Sequence, residues 1–142
     1  MFAAENFTRP LPHPLPLTRD TALFLFAVRR LGAHGLADAQ LANHFVSTFG
    51  SGFQRPLITL RVMMAEIASV ASTPIMIAPC CCMRMTASEA TLIEVMRRLS
   101  GQPLAARALL ADLLGNRCVD GVLATMALVG SAFADAGRCI KG

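Results

Sequence analysis

Apolar residues recur at helical spacing in six successive segments of this 142-residue chain, and glycine or proline bounds each segment. Leu23, Ala27 and Leu31, with Phe24 and Val28, predict a first helix over residues 20–31 that stops at Gly32. Leu41, Phe45 and Phe49 predict a second over 37–49, closed by Gly50. Leu57, Leu60, Met64, Ile67, Ala68 and Ala71 fall on one face of a third, opening near Pro56. Thr86-Ala87-Ser88-Glu89 has the spacing of a capping box, in which the Thr86 hydroxyl meets the Glu89 amide and the Glu89 carboxylate reaches back. A fourth helix therefore starts at Ala87. Pro103 opens a fifth that ends before Gly115, and Val122, Met126, Val129 and Phe133 form a regular stripe along a sixth, from Asp120 to Gly137. No alternating strand pattern intervenes. The fold class expected is all-α, a compact bundle of about six helices.

Between the third and fourth helices lies a connection of about fourteen residues, 72–85, longer than the two to eight usual in a bundle. It is apolar, with Ile75, Met76, Ile77 and Ala78 between two prolines, so it is expected to be buried against the bundle, in part as a short extended piece. Residues 1–17 hold four of the eight prolines and no helical period. They are expected to form an extended proline-rich arm, with a single helical domain over 18–142.

Composition limits location and partners. The chain is 54% apolar without counting glycine and 15% charged, richer in apolar residues than an average globular chain. A bilayer span needs about 18 or more consecutive apolar residues, and Pro74 and Pro79 interrupt the longest uncharged stretch. The proline run near the N-terminus lacks the apolar core of a secretory signal. The location expected is cytoplasmic. The net charge of +4 comes almost wholly from scattered arginines, which argues against nucleic-acid binding. Arg29 and Arg30 read as ordinary cations at the negative end of the first helix. Glu94 stands three and four residues before Arg97 and Arg98, the spacing of surface ion pairs. Arg61 sits at the edge of an apolar face, and its head must snorkel or find a partner. His44 reads as a boundary histidine.

Cys80, Cys81 and Cys82 are the feature that composition does not explain. They stand four residues before a capped helix, whose positive end, together with Arg84, could support a thiol site that is nucleophilic, redox-active or bound to a soft metal. Against this, consecutive side chains diverge, and the spacing is neither C-x-x-C nor a zinc set. Cys118 and Cys139 complete a four-sulfur site only if the fold brings them near. The ordinary expectation is that the three cysteines pack in the apolar loop as small hydrophobes. No cofactor is expected, apart from a soft metal on these cysteines. The chain has no Gly-rich phosphate loop, no His-Glu-x-x-His and no Gly-x-Ser-x-Gly, so enzyme signatures are missing. An interaction or regulatory module that self-associates is expected, with the small residues Ala124, Ala127, Gly130, Ser131 and Ala134 as the candidate subunit face and another protein as the alternative partner.

The stretch Leu25-Phe26-Ala27-Val28-Arg29-Arg30-Leu31-Gly32, with the run from Ile75 through Ala78-Pro79-Cys80-Cys81-Cys82 to Thr86, resembles a family of small uncharacterised alphaproteobacterial proteins, a domain of unknown function. The resemblance implies a bacterial cytoplasmic protein and transfers no catalytic residue.

Overall fold

The computed structural model describes residues 2–4, 11 and 13–140. Six helices form the body: α1 (Arg19–His34), α2 (Ala39–Phe49), α3 (Gln54–Val70), α4 (Ala87–Arg98), α5 (Pro103–Leu114) and α6 (Asp120–Asp135). Side-chain oxygens close three of the N-termini: Thr18 accepts from the Thr21 amide, Asp38 from Leu41, and Thr86 from Glu89 in a complete capping box. Pro103 occupies the first turn of α5, and Gly115 ends that helix in the left-handed conformation, φ 64°.

α1 runs one turn past the expected stop. Gly32 lies inside it, and the chain leaves the helix at Gly35, φ 93°. Gly32 answers a packing demand, because a Cβ there would stand 2.6 Å from Ile77 Cδ1. The glycine lets α1 approach the connection that follows α3.

α3 and α6 make the most extensive helix pair and run antiparallel. Arg55 reaches Asp135 and Ser131 at one end, while Gly121 faces Glu66 at the other. Leu60, Met63, Met64 and Ile67 of α3 and Val122, Met126, Val129 and Phe133 of α6 are buried in one core. Phe133 meets Phe45 and Phe49 at ring separations of 6.3 and 5.4 Å, in the edge-to-face arrangement aromatic quadrupoles favour. α4 and α5 form the second pair.

The connection from α3 to α4 is buried along most of its aliphatic segment. Ile75, Ile77 and Ala78 are all shielded from water. Its start is tied to the end of α5: the Ser72 amide donates to the Leu114 carbonyl at 2.8 Å, and Asn116 Nδ2 to the Val70 carbonyl at 3.1 Å. The short extended piece expected there is present as a strand, and two small ladders that were not expected form around the connection. Strand β1 (Phe2–Ala4) pairs in parallel with β3 (Ile75–Ile77), and β2 (His13–Pro14) pairs antiparallel with β4 (Arg84–Met85). Residues 1, 5–10 and 12 of the expected N-terminal arm lie outside the described residues. Among the described residues, no helix is long and apolar enough to cross a membrane.

Candidate functional site

The site is built on Arg29, which points into the connection rather than along its own helix. A charge in a helix buried on most of its sides must be paired, and Arg29 is only 3% exposed. Its Nε and Nη2 donate to the two carboxylate oxygens of Glu89 at 2.7 and 3.1 Å. Nη1 donates to the Cys82 carbonyl at 2.9 Å, and Nη2 also to the Arg84 carbonyl at 2.8 Å. Glu89, fully buried, accepts in addition from the backbone amides of Ala78 (3.1 Å) and Thr86 (2.9 Å). The Thr86 hydroxyl donates to the Met76 carbonyl at 2.7 Å. One buried ion pair and one capping threonine thus satisfy backbone groups at Met76, Ala78, Cys82, Arg84 and Thr86. The reading of Arg29 and Arg30 as simple helix-end cations is corrected here, since both side chains hold specific carboxylates.

Residues 79–82 form a reverse turn closed by the Cys82 amide donating to the Pro79 carbonyl at 3.0 Å. Cys80 and Cys81 occupy its two central positions, and both are exposed; Cys82, at the anchored exit, is half-buried. The expectation that the three cysteines pack inside the loop is corrected on this point. The aliphatic residues Ile75, Ile77 and Ala78 fill the interior, and the turn leaves Cys80 and Cys81 exposed.

Arg30 stands beside Cys80. Its Nε and Nη2 grip the Asp38 carboxylate at 2.8 and 2.7 Å, a bidentate fork on the N-cap of α2. Asp38 hydrogen bonding raises the Arg30 pKa against the opposing effect of desolvation, and the Asp38 charge and the neighbouring Cys80 add to the rise. The same hydrogen bonds lower the Asp38 pKa, helped by the Leu41 amide. Arg84, singled out from the sequence as the cation of the site, donates through Nε to the Leu11 carbonyl, while its own carbonyl receives Arg29. Sequence reasoning missed Arg29, Arg30 and the long-range role of Glu89. The available signal was the pair Arg29-Arg30 inside the otherwise apolar run Leu23 to Leu31, a position that requires partners.

Cys118 and Cys139 are exposed elsewhere. Among the described residues, no group of three or more His, Cys, Asp or Glu could hold a metal ion, so the four-sulfur set is not assembled there. Cys139 lies on an open groove of about 540 Å³ between α4 and α6, lined by Met96, Leu99, Ala127, Gly130 and Ala134. None of the three adjacent cysteines borders that groove. His44 is exposed and packs on the Phe26 ring at 4.9 Å, in keeping with a boundary position.

Comparison with curated proteins and with solved structures gives no match. The family of unknown function DUF6628 matches residues 2–134, nearly the whole chain, and the chain belongs to that family.

Proposed function

We propose that this chain is a small helical scaffold whose working part is the Cys80-Cys81-Cys82 turn, a thiol site for soft metals or for exchange with thiol-reactive partners. The observation that carries the reading is the exposure of Cys80 and Cys81 on a turn fixed by the buried Arg29–Glu89 pair. A fixed turn presents its sulfurs in a defined geometry, which chemistry needs and packing does not. Only the deprotonated sulfur reacts or ligates, and the neighbour of Cys80 is Arg30, paired with Asp38. The reading places the protein in a reducing compartment such as the bacterial cytoplasm, where thiols persist.

Competitive alkylation of the reduced protein, mapped by peptide mass spectrometry, tests this. Cys118 and Cys139, both exposed, are internal references. Cys80 and Cys81 are expected to react several-fold faster than the references, with Arg30→Gln narrowing the gap at Cys80. Equal or slower reaction at both overturns the proposal.

A second reading, self-association through α6, is supported by the exposure of Ala124, Ala127, Ser131 and Ala134 on that helix beside Leu128, which is 52% exposed. The partner is a second copy of the chain, and sedimentation across a range of concentrations tests it.

A further inference from the structure

We propose that Cys80 and Cys81, supported by the thioether of Met83, bind one monovalent copper ion per chain as a two-thiolate site. The inference rests on the thiol reading of the turn and narrows it to one ligand class.

Three features lead to this ion. The first is the number of sulfurs the turn releases. Cys80 and Cys81 are exposed at the centre of the turn, whereas Cys82 is half-buried, with its amide bonded to Pro79 and its carbonyl to Arg29. Structural zinc wants about four ligands in a tetrahedron, and iron–sulfur clusters are held by about four thiolates. No set of even three His, Cys, Asp or Glu stands together among the described residues. Cu(I), a closed-shell soft cation, is satisfied by two thiolates.

The second feature is adjacency. The Cα atoms of neighbouring residues across a trans peptide are about 3.8 Å apart, short of the roughly 4.4–6.8 Å that disulfides usually span. Direct S–S closure of this pair is therefore strained, while an ion between the sulfurs lengthens the bridge. A bridging ion spares the pair that short closure, provided the two side chains turn towards each other on binding.

The third is Met83, which is 76% exposed at the exit of the same turn. An apolar side chain left in water two residues beyond Cys81 gains nothing by packing. Its thioether is a soft donor of the kind Cu(I) accepts.

Binding breaks two S–H bonds and forms two thiolate S–Cu bonds, and the Met83 thioether donates a lone pair to the copper with no proton lost. Two protons pass to the buffer, and neither sulfur nor copper changes oxidation state. The complex carries one net negative charge, and Arg30, paired with Asp38, stands near Cys80.

The test is anaerobic titration of the reduced full chain with Cu(I) held by a chromophoric competing chelator. One copper per chain is expected. Cys80→Ser and Cys81→Ser should each weaken binding at least a hundredfold, Met83→Leu about tenfold, and Cys82→Ser less than threefold. Circular dichroism confirms that these surface variants are folded. The proposal is overturned if the chain takes no copper from the competitor, if Cys82→Ser weakens binding as much as Cys80→Ser, or if Met83→Leu leaves affinity unchanged. Preferential alkylation of metal-free Cys80 and Cys81 separates the two levels. Fast alkylation without copper binding removes the copper site and leaves the thiol site standing, whereas slow alkylation removes both.

Discussion

A carboxylate with no exposed surface cannot turn to water when its partner is removed, so the cost of losing Arg29 falls on Glu89 and on the carbonyls of Cys82 and Arg84. Breaking a buried pair from one side typically costs about 3–5 kcal/mol, although the intact pair contributes far less than that because both charges gave up hydration. Arg29→Met is therefore expected to lose about 3–5 kcal/mol in urea denaturation, and Arg29→Met combined with Glu89→Gln to lose clearly less than the sum of the two singles. Additive losses would show that the residues act independently. Gly32 sets a second residue-scale limit. Gly32→Ala places a methyl against buried Ile77, at about 1–3 kcal/mol for an overpacked contact, and Ile77→Val, which lacks the offending Cδ1, should recover most of the loss. A double variant no more stable than Gly32→Ala would locate the strain elsewhere. At this scale the sequence was legible only over short range. The Thr86–Glu89 box spans three residues and was read correctly, while the bond from Arg29 to Glu89 crosses sixty positions and leaves no periodic trace.

The helices were legible because each carries its own period and stop signal, and their bounds differ from expectation by a turn or less. The two ladders were not, because strands of two or three residues hold no period and pair with segments far along the chain. The solvent side of α4 illustrates what local spacing does encode. Glu94 bonds Arg97 and Arg98, as the three- and four-residue offsets predict, and the two guanidiniums lower its pKa from 4.5 to about 2. A carboxyl depressed on folding contributes stability that is present in full above its unfolded pKa and declines as pH falls through the folded value. For Glu94 the window runs from about pH 4.5 down to about pH 2. Exposed pairs are screened and weak, so Glu94→Gln should lower the melting temperature by no more than about 3 °C at pH 6. Melts repeated at decreasing pH should bring the wild type and variant together by about pH 2. A difference that stays constant with pH would mean that Glu94 acts through packing.

For the molecule as a whole, the question is where a chain that is 54% apolar puts its surplus. The core absorbs most of it, and the 72–85 connection buries Ile75, Ile77, Ala78 and Met85 as well. What remains outside is spread over the surface, with Leu17, Met83 and Leu104 among the exposed side chains, and it includes Ile58 and Val62, one turn apart on α3, and Leu128 on α6. Small residues flank Leu128, so a neighbouring helix can approach the α6 backbone closely and bury it, at about 1.5–3 kcal/mol for a leucine fully removed from water. The dimer this predicts is symmetric, with the same patch contributed by both copies, so one substitution alters the interface twice. Leu128→Glu should leave the circular dichroism spectrum and melting temperature almost unchanged, because the side chain makes little use of the monomer core. It should also shift the sedimentation profile to the monomer at concentrations where the wild type is dimeric, with the dissociation constant raised at least tenfold. Reversing the sign with Leu128→Lys should have the same effect, since either charge is placed opposite its own copy. A mixture of the two variants should recover part of the association, because the charges then face each other as opposites. Wild-type protein that sediments as a monomer at every concentration would remove self-association and leave the cysteine turn as the working surface of the fold.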